Sequence, residues 1–150
     1  MALTTPASPQ PDRAVDTRLE TAPLGIHDAF EHDSVASLDH RSRRTAIRPA
    51  EAQPGHYLAL QDADGEVLLI AIEDRITHIG RAATADLRFE DQRVSRRHAI
   101  LVRYGNHVRM LDDRSSEGTF VNGSRIVATD LSEGDVVRLG PVSFTYTIVR

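Results

Sequence analysis

Turn residues divide this chain more finely than any long helix would tolerate. From residue 56 to residue 149 short strand-like runs are separated by turns roughly every 6–12 residues. The runs between these turns are short and rich in Val, Ile, Leu and Thr. The last run shows the period most clearly. Val142, Phe144, Tyr146 and Ile148 alternate with Ser143, Thr145 and Thr147, the pattern of a half-buried strand. Asp62-Ala63-Asp64-Gly65 and Tyr104-Gly105-Asn106 join neighbouring runs, and Asn122-Gly123 suits a two-residue hairpin because both residues tolerate positive φ. Strand-like runs fall at 56–61, 66–72, 75–79, 87–89, 98–103, 107–111, 119–121, 124–126, 135–139 and 142–149. With no convincing helix among them, they predict an all-β antiparallel sandwich over residues 55–150.

Residues 1–54 read differently. Prolines at 6, 9, 11, 23, 49 and 54 punctuate them, and apolar residues are scattered without a sustained period. Such a segment buries too little to offset its ordering entropy, so a disordered tail is expected, with at most a weak helical turn or two between 28 and 38.

Composition narrows the function. The chain has 150 residues, no cysteine and a formal charge of −4. Disulfides, cysteine-based zinc sites and thiol catalysis are excluded, and a globally basic nucleic-acid binder is not expected. No apolar run approaches the roughly 20 residues that span a bilayer. Without a basic n-region followed by an apolar stretch, the N-terminus does not read as a secretory signal, and a cytoplasmic protein is expected. No nucleophile–base pair, metal cluster or nucleotide loop is recognisable, so neither an enzyme nor a cofactor is expected. Asp112 and Asp113 are adjacent on a strand and point to opposite faces, which suits a strand end better than acid–base chemistry.

The chemistry gathers in three loops: Gly80-Arg81, then Ser95-Arg96-Arg97-His98, then Ser115-Ser116-Glu117-Gly118-Thr119. Loops cluster at the ends of a sandwich, so three can converge on one site. Forked guanidinium donors, short hydroxyl donors and glycine-rich backbone form an inventory for binding a phosphate dianion.

The ordered set Gly80-Arg81, Ser95-Arg96-Arg97-His98, Gly118-Thr119-Phe120-Val121-Asn122-Gly123, Gly134-Asp135 and Leu139-Gly140 resembles the forkhead-associated (FHA) domain family, and in particular small bacterial FHA proteins with an N-terminal tail. The resemblance implies a β-sandwich of about eleven short strands whose loops bind phosphothreonine. It also implies residue roles. Arg81, Ser95, Arg96 and Ser116 would contact the phosphothreonine. Gly80, His98, Gly118, Thr119 and Asn122 would support the site. The implied function is a phosphothreonine-dependent module acting as an adaptor downstream of Ser/Thr kinases.

Glu117 departs from the family pattern, which usually has Asn there. An ionised carboxylate cannot donate hydrogen bonds to a ligand backbone. The alternative is therefore a phospho-independent scaffold built on the same sandwich. In the tail, Thr45 lies in the basic stretch His40-Arg41-Ser42-Arg43-Arg44-Thr45 and is a candidate for phosphorylation, followed by docking in the chain's own site with Arg48 meeting Glu117. Thr4, Thr5, Thr17 and Thr21 have longer tethers. The expected partners are a phosphothreonine-containing protein, or the phosphorylated tail itself, and a Ser/Thr kinase.

Overall fold

The computed structural model describes residues 32–150; Thr4, Thr5, Thr17, Thr21 and the stretch of expected disorder up to residue 31 lie outside the described residues. Eleven strands follow one another: β1 (Gly55–Gln61), β2 (Val67–Ala71), β3 (Ile76–Gly80), β4 (Leu87–Arg88), β5 (Ala99–Tyr104), β6 (His107–Asp112), β7 (Thr119–Val121), β8 (Ser124–Ile126), β9 (Ala128–Asp130), β10 (Val136–Leu139) and β11 (Val142–Val149). They form a six-stranded sheet in the order β2-β1-β11-β10-β7-β8 and a five-stranded sheet in the order β4-β3-β5-β6-β9. All pairs are antiparallel except β3 with β4, which run parallel from Ile79↔Leu87 to Gly80↔Arg88. Ten strands coincide with the runs read in the sequence. The eleventh, β9, pairs with β6 in the other sheet from β8. Only Val127, 84% exposed, separates β8 from β9, and the chain changes sheet there without a Gly or Pro to mark it.

The two inner faces supply the core. Leu58 and Leu60 from β1 and Val142, Phe144 and Tyr146 from β11 face Ile79, Leu101, Val108 and Met110 of the smaller sheet. Phe89, just past β4, stacks on Phe144 with ring centroids 6.4 Å apart, tying the sheets together. Both edges of one side of the sandwich, β4 and β2, are covered by chain that precedes β1.

That covering segment corrects the boundary expected at residue 54. Leu38 bridges to Phe89 and Ile47 bridges to Leu69, so one short stretch pairs with both sheets. Between them lies a helix, α1 (His40–Arg44), capped by Asp39, whose carboxylate accepts from the Ser42 N–H at 2.7 Å. Val35 and Leu38 enter the core, and Ser34 and Ser42 are buried yet satisfied: Ser34 Oγ accepts from the Ser143 N–H at 3.1 Å, and Ser42 Oγ accepts from the Arg88 N–H at 3.0 Å. A sandwich needs its edge strands covered or blunted, and three apolar anchors with polar caps suffice here without any periodic pattern. Thr45 ends the helix, exposed, with its hydroxyl donating to the Ser42 carbonyl at 2.7 Å.

Because Leu38 is only 2% exposed, Leu38→Ala is expected to cost about 2–5 kcal/mol in chemical denaturation. A free tail would show no change.

Candidate functional site

Gly80 ends β3 where the next loop passes very close. A Cβ there would lie 2.2 Å from the Arg96 carbonyl oxygen and 2.9 Å from its carbon, so only glycine fits. The approach lets two backbone bonds zip the loops: Arg81 N–H donates to the Ser95 carbonyl and Ala82 N–H to the Arg96 carbonyl, each at 3.0 Å. Arg81 is half-buried, and its Nε donates to the Val94 carbonyl at 3.0 Å. This pins the guanidinium by one edge, while its terminal nitrogens make no hydrogen bond among the described residues.

His98 joins the second loop to the third. It is fully buried. Ser95 N–H donates to His98 Nδ1 at 3.0 Å, so Nδ1 carries no proton, and the protonated Nε2 donates to the Gly118 carbonyl at 2.8 Å. A second tie runs beside it: Ser116 N–H donates to Ser95 Oγ at 2.9 Å. The Ser95 hydroxyl, being an acceptor in that bond, keeps its own hydrogen for a ligand.

The third loop is held from below by Asp112, a role the sequence reading missed. Asp112 Oδ1 accepts from the Ser115 and Thr119 hydroxyls, and Oδ2 from the Ser115 N–H. Ser115 Oγ in turn accepts from the Gly118 N–H at 2.9 Å. The signal was present as an Asp three residues before a Ser and three more before a Gly, the chemistry of a side-chain-mimicked turn. Burial pushes the Asp112 carboxyl upward, but the hydrogen bonds from Ser115 and Thr119 outweigh it and hold the group below the ordinary carboxylate range. Gly118 sits at φ 95°, a backbone conformation that L side chains rarely adopt, and a Cβ there would also displace the flexible Arg125 side chain.

These ties leave an open cleft of about 530 Å³ that brings together Arg81, Ser95, Arg96, Ser116 and Glu117, together with Arg114, which the sequence reading had not singled out. Arg96, Ser116 and Glu117 are exposed in it. Two further arginines on the rim are neutralised: Arg97 by Asp113 at 3.1 Å and Arg93 by Asp91 at 3.3 Å. Thr119 is buried under the loop on Asp112, away from the opening. Asn122 lies at the opposite end of β7, where its amide bonds Asp135 and the Val136 N–H, each at 2.9 Å; it braces a turn to β10 and has no part in the cleft. Thr45 does not line the cleft. Arg48, expected to meet Glu117, instead lies at the start of a one-turn 3-10 helix (Pro49–Glu51), its N–H 3.4 Å from the Glu51 carboxylate. Among the described residues no group of three or more His, Cys, Asp and Glu could hold a metal ion, and no helix is long and apolar enough to cross a membrane.

Comparison with known proteins returns one family model, "FHA domain", over residues 77–140. Similar curated proteins include the ABC transporter ATP-binding/permease protein Rv1747 of Mycobacterium tuberculosis, 41% identical over 68 residues, and the FHA domain-containing protein FhaA of the same organism, 37% identical over 87 residues. These matches take in 45% and 57% of this chain but only 8% and 16% of those proteins. A similar solved structure, from a structural and functional analysis of phosphothreonine-dependent FHA domain interactions, is 30% identical with a TM-score of 0.57 and covers 63% of this chain and 97% of its own.

Asp112→Asn is expected to lower stability by about 1–3 kcal/mol, since it removes a charged acceptor of several bonds. The depressed carboxyl contributes stability above the ordinary aspartate value near pH 4 that is lost as the pH falls through its lower folded value. The variant's denaturation midpoint should therefore fall less than the wild type's on acidification.

Proposed function

The chain belongs to the FHA domain family, and from that premise we propose that it is a phosphothreonine-dependent protein-binding module, an adaptor for targets of Ser/Thr kinases. The observation that carries this reading is the convergence of ligand-free donors in one cleft. The Arg81 guanidinium is held by its Nε alone, the Ser95 hydroxyl has its acceptor side occupied and its hydrogen free, and Arg96 and Ser116 are exposed beside them. A phosphate carrying about −1.5 to −2 charge suits two guanidinium groups and two hydroxyl donors. Charge-assisted bonds contribute about 1.5–3 kcal/mol each, which together support reversible micromolar recognition. The neighbour studied for phosphothreonine-dependent interactions supports the same ligand class. The reaction is binding alone; no group in the cleft is placed as a nucleophile with a base.

The exposed Glu117 favours a second reading, a scaffold that binds its partner without phosphate. Glu117 has no hydrogen bond or ion pair among the described residues, so its charge is uncompensated where the ligand backbone would pass.

Self-regulation by the tail is part of the proposal, with its geometry revised. Thr45 is committed to the covering segment, so docking it would strip Leu38 and Ile47 from both sheet edges. The threonines before residue 32 have a better route. His32 Nε2 lies 3.0 Å from Ser37 Oγ, and the Ser37 carbonyl accepts from the Glu90 N–H, next to Asp91, the partner of rim residue Arg93. The chain thus joins the sandwich at the edge of the cleft. Thr21 precedes His32 by 11 residues, a reach of roughly 36–40 Å when extended.

One titration tests these readings. Arg81→Ala should abolish binding of a phosphothreonine peptide by the full chain while lowering its denaturation midpoint only slightly, through loss of the bond to the Val94 carbonyl; undiminished binding sinks the phosphate role. If Glu117→Asn creates phosphopeptide binding from a negligible start, the scaffold reading is correct for the natural chain. Phosphorylating the full chain with a basophilic Ser/Thr kinase should weaken its binding of the free peptide, and a combined Thr17→Ala, Thr21→Ala change should restore it. Equal affinity before and after phosphorylation removes the tail from the account.

A further inference from the structure

Arg114 sits at φ 57° in the loop between β6 and β7, one of only two non-glycine residues among those described with a positive φ. The other, Asn122, is a residue type that tolerates this region and belongs to a hairpin turn. Arginine has no such tolerance: its Cβ crowds the backbone, and glycine would occupy the position without strain. Strained non-glycine residues concentrate where function requires the side chain. Here the side chain lines the cleft.

The charges around Arg114 leave it without a partner. Its neighbour Asp113 is spent on Arg97, with two contacts at 3.1 and 3.4 Å. Arg93 is likewise spent on Asp91. Arg81 and Arg96 together match the charge of one phosphate dianion. Arg114 makes no hydrogen bond or ion pair among the described residues and is exposed. A third uncommitted guanidinium is more than the phosphate needs. The loop carrying it is also rigid, because Ser115 directly after it is buried and bonded to Asp112 and to Gly118. The side chain therefore projects from a fixed base, which lowers the ordering cost of a contact.

We propose that Arg114 is a specificity residue of the phosphothreonine site, one that reads a second acidic group on the ligand, a carboxylate or a further phosphate, beside the phosphothreonine. The inference rests on the phosphothreonine reading and adds a ligand chemistry to it. Glu117, three positions further along the same loop and also on the cleft, gives the preference a direction. An acidic group is drawn to the Arg114 side and repelled from the Glu117 side, so the preferred ligand carries its extra negative charge on one flank of the phosphothreonine.

The test is a set of phosphothreonine peptides, identical except that each flanking position in turn is Asp, Ala or Arg, titrated into the full chain, each with its unphosphorylated control. At one flanking position the wild type should bind the Asp peptide about tenfold more tightly than the Ala peptide, the ratio one charge-assisted contact supplies. Arg114→Gly should erase that ratio, weakening binding of the Asp peptide more than that of the Ala peptide, and its melting temperature should equal or exceed the wild type's because the strained φ is relieved. Arg114→Glu should reverse the preference toward the Arg peptide. If the wild type binds the phosphopeptides but is indifferent to flanking charge, or Arg114→Gly keeps the wild-type ratio, the inference about Arg114 is wrong and the phosphothreonine reading stands. If no phosphopeptide binds better than its unphosphorylated control, the phosphothreonine reading fails and this inference fails with it.

Discussion

A single buried imidazole sets the shape of the cleft end of the sandwich. His98 accepts the Ser95 N–H on one nitrogen and donates to the Gly118 carbonyl with the other. It therefore has to be neutral, in one tautomer, and in one orientation. Everything facing solvent above it inherits that order. Ser95 takes the Ser116 N–H on its oxygen because the two loops are already at hydrogen-bond distance. Asp112 fastens the far side of the third loop, and the missing Cβ of Gly80 lets the first loop lie against the second. The cleft is thus built from backbone and buried polar side chains. The exposed side chains of Arg96 and Glu117 make no hydrogen bond among the described residues, so substitutions there can be read for binding without first being read for folding.

Much of this was legible in the residues. The alternation in β11, the Asn-Gly turn and the grouping of Arg, Ser and Gly in three loops predicted the sandwich and the position of the site, because period-2 burial and turn chemistry are local properties. What escaped was non-local. β9 is three residues with no apolar pattern, and what makes it a strand is its pairing with β6. The segment from Ser34 to Ile47 has no period, since it does not lie on a flat face; each apolar residue fills a different gap, Leu38 beside Phe89 and Ile47 beside Leu69. Asn122 was expected to stabilise the adjacent turn, but its bonds to Asp135 and the Val136 N–H could not be read from the residues. Asp112 was recognisable only through the Ser and Gly that it holds. The left-handed backbone of Arg114 has no signature in sequence at all, because arginine is the wrong residue to announce it.

Charge organisation separates this chain from a simple basic pocket. The described arginines fall into three kinds. Some are neutralised by a carboxylate, as Arg93, Arg97 and Arg109 are. Others hold backbone carbonyls, as Arg43 holds those of Val35, Ala36 and Leu38. The rest divide: Arg96 and Arg114 line one cleft beside Arg81, while Arg44, Arg75 and Arg125 are exposed elsewhere. An overall charge of −4 is compatible with that concentration because the excess acid lies elsewhere, and a local field decides what a cleft attracts.

The segment preceding β1 has a mechanical consequence. It is hydrogen-bonded to β2 in one sheet through Ile47 and Leu69, at 2.9 and 2.8 Å, and to the β4 strand in the other through Asp39 N–H and the Arg88 carbonyl, at 2.9 Å. Sandwich layers elsewhere touch only through side chains, which permit small sliding. On this side the layers are laced by main chain, so shear between them must break backbone hydrogen bonds. Resistance to shear is therefore built into the β2–β4 side by main-chain bonds from a segment that belongs to neither sheet.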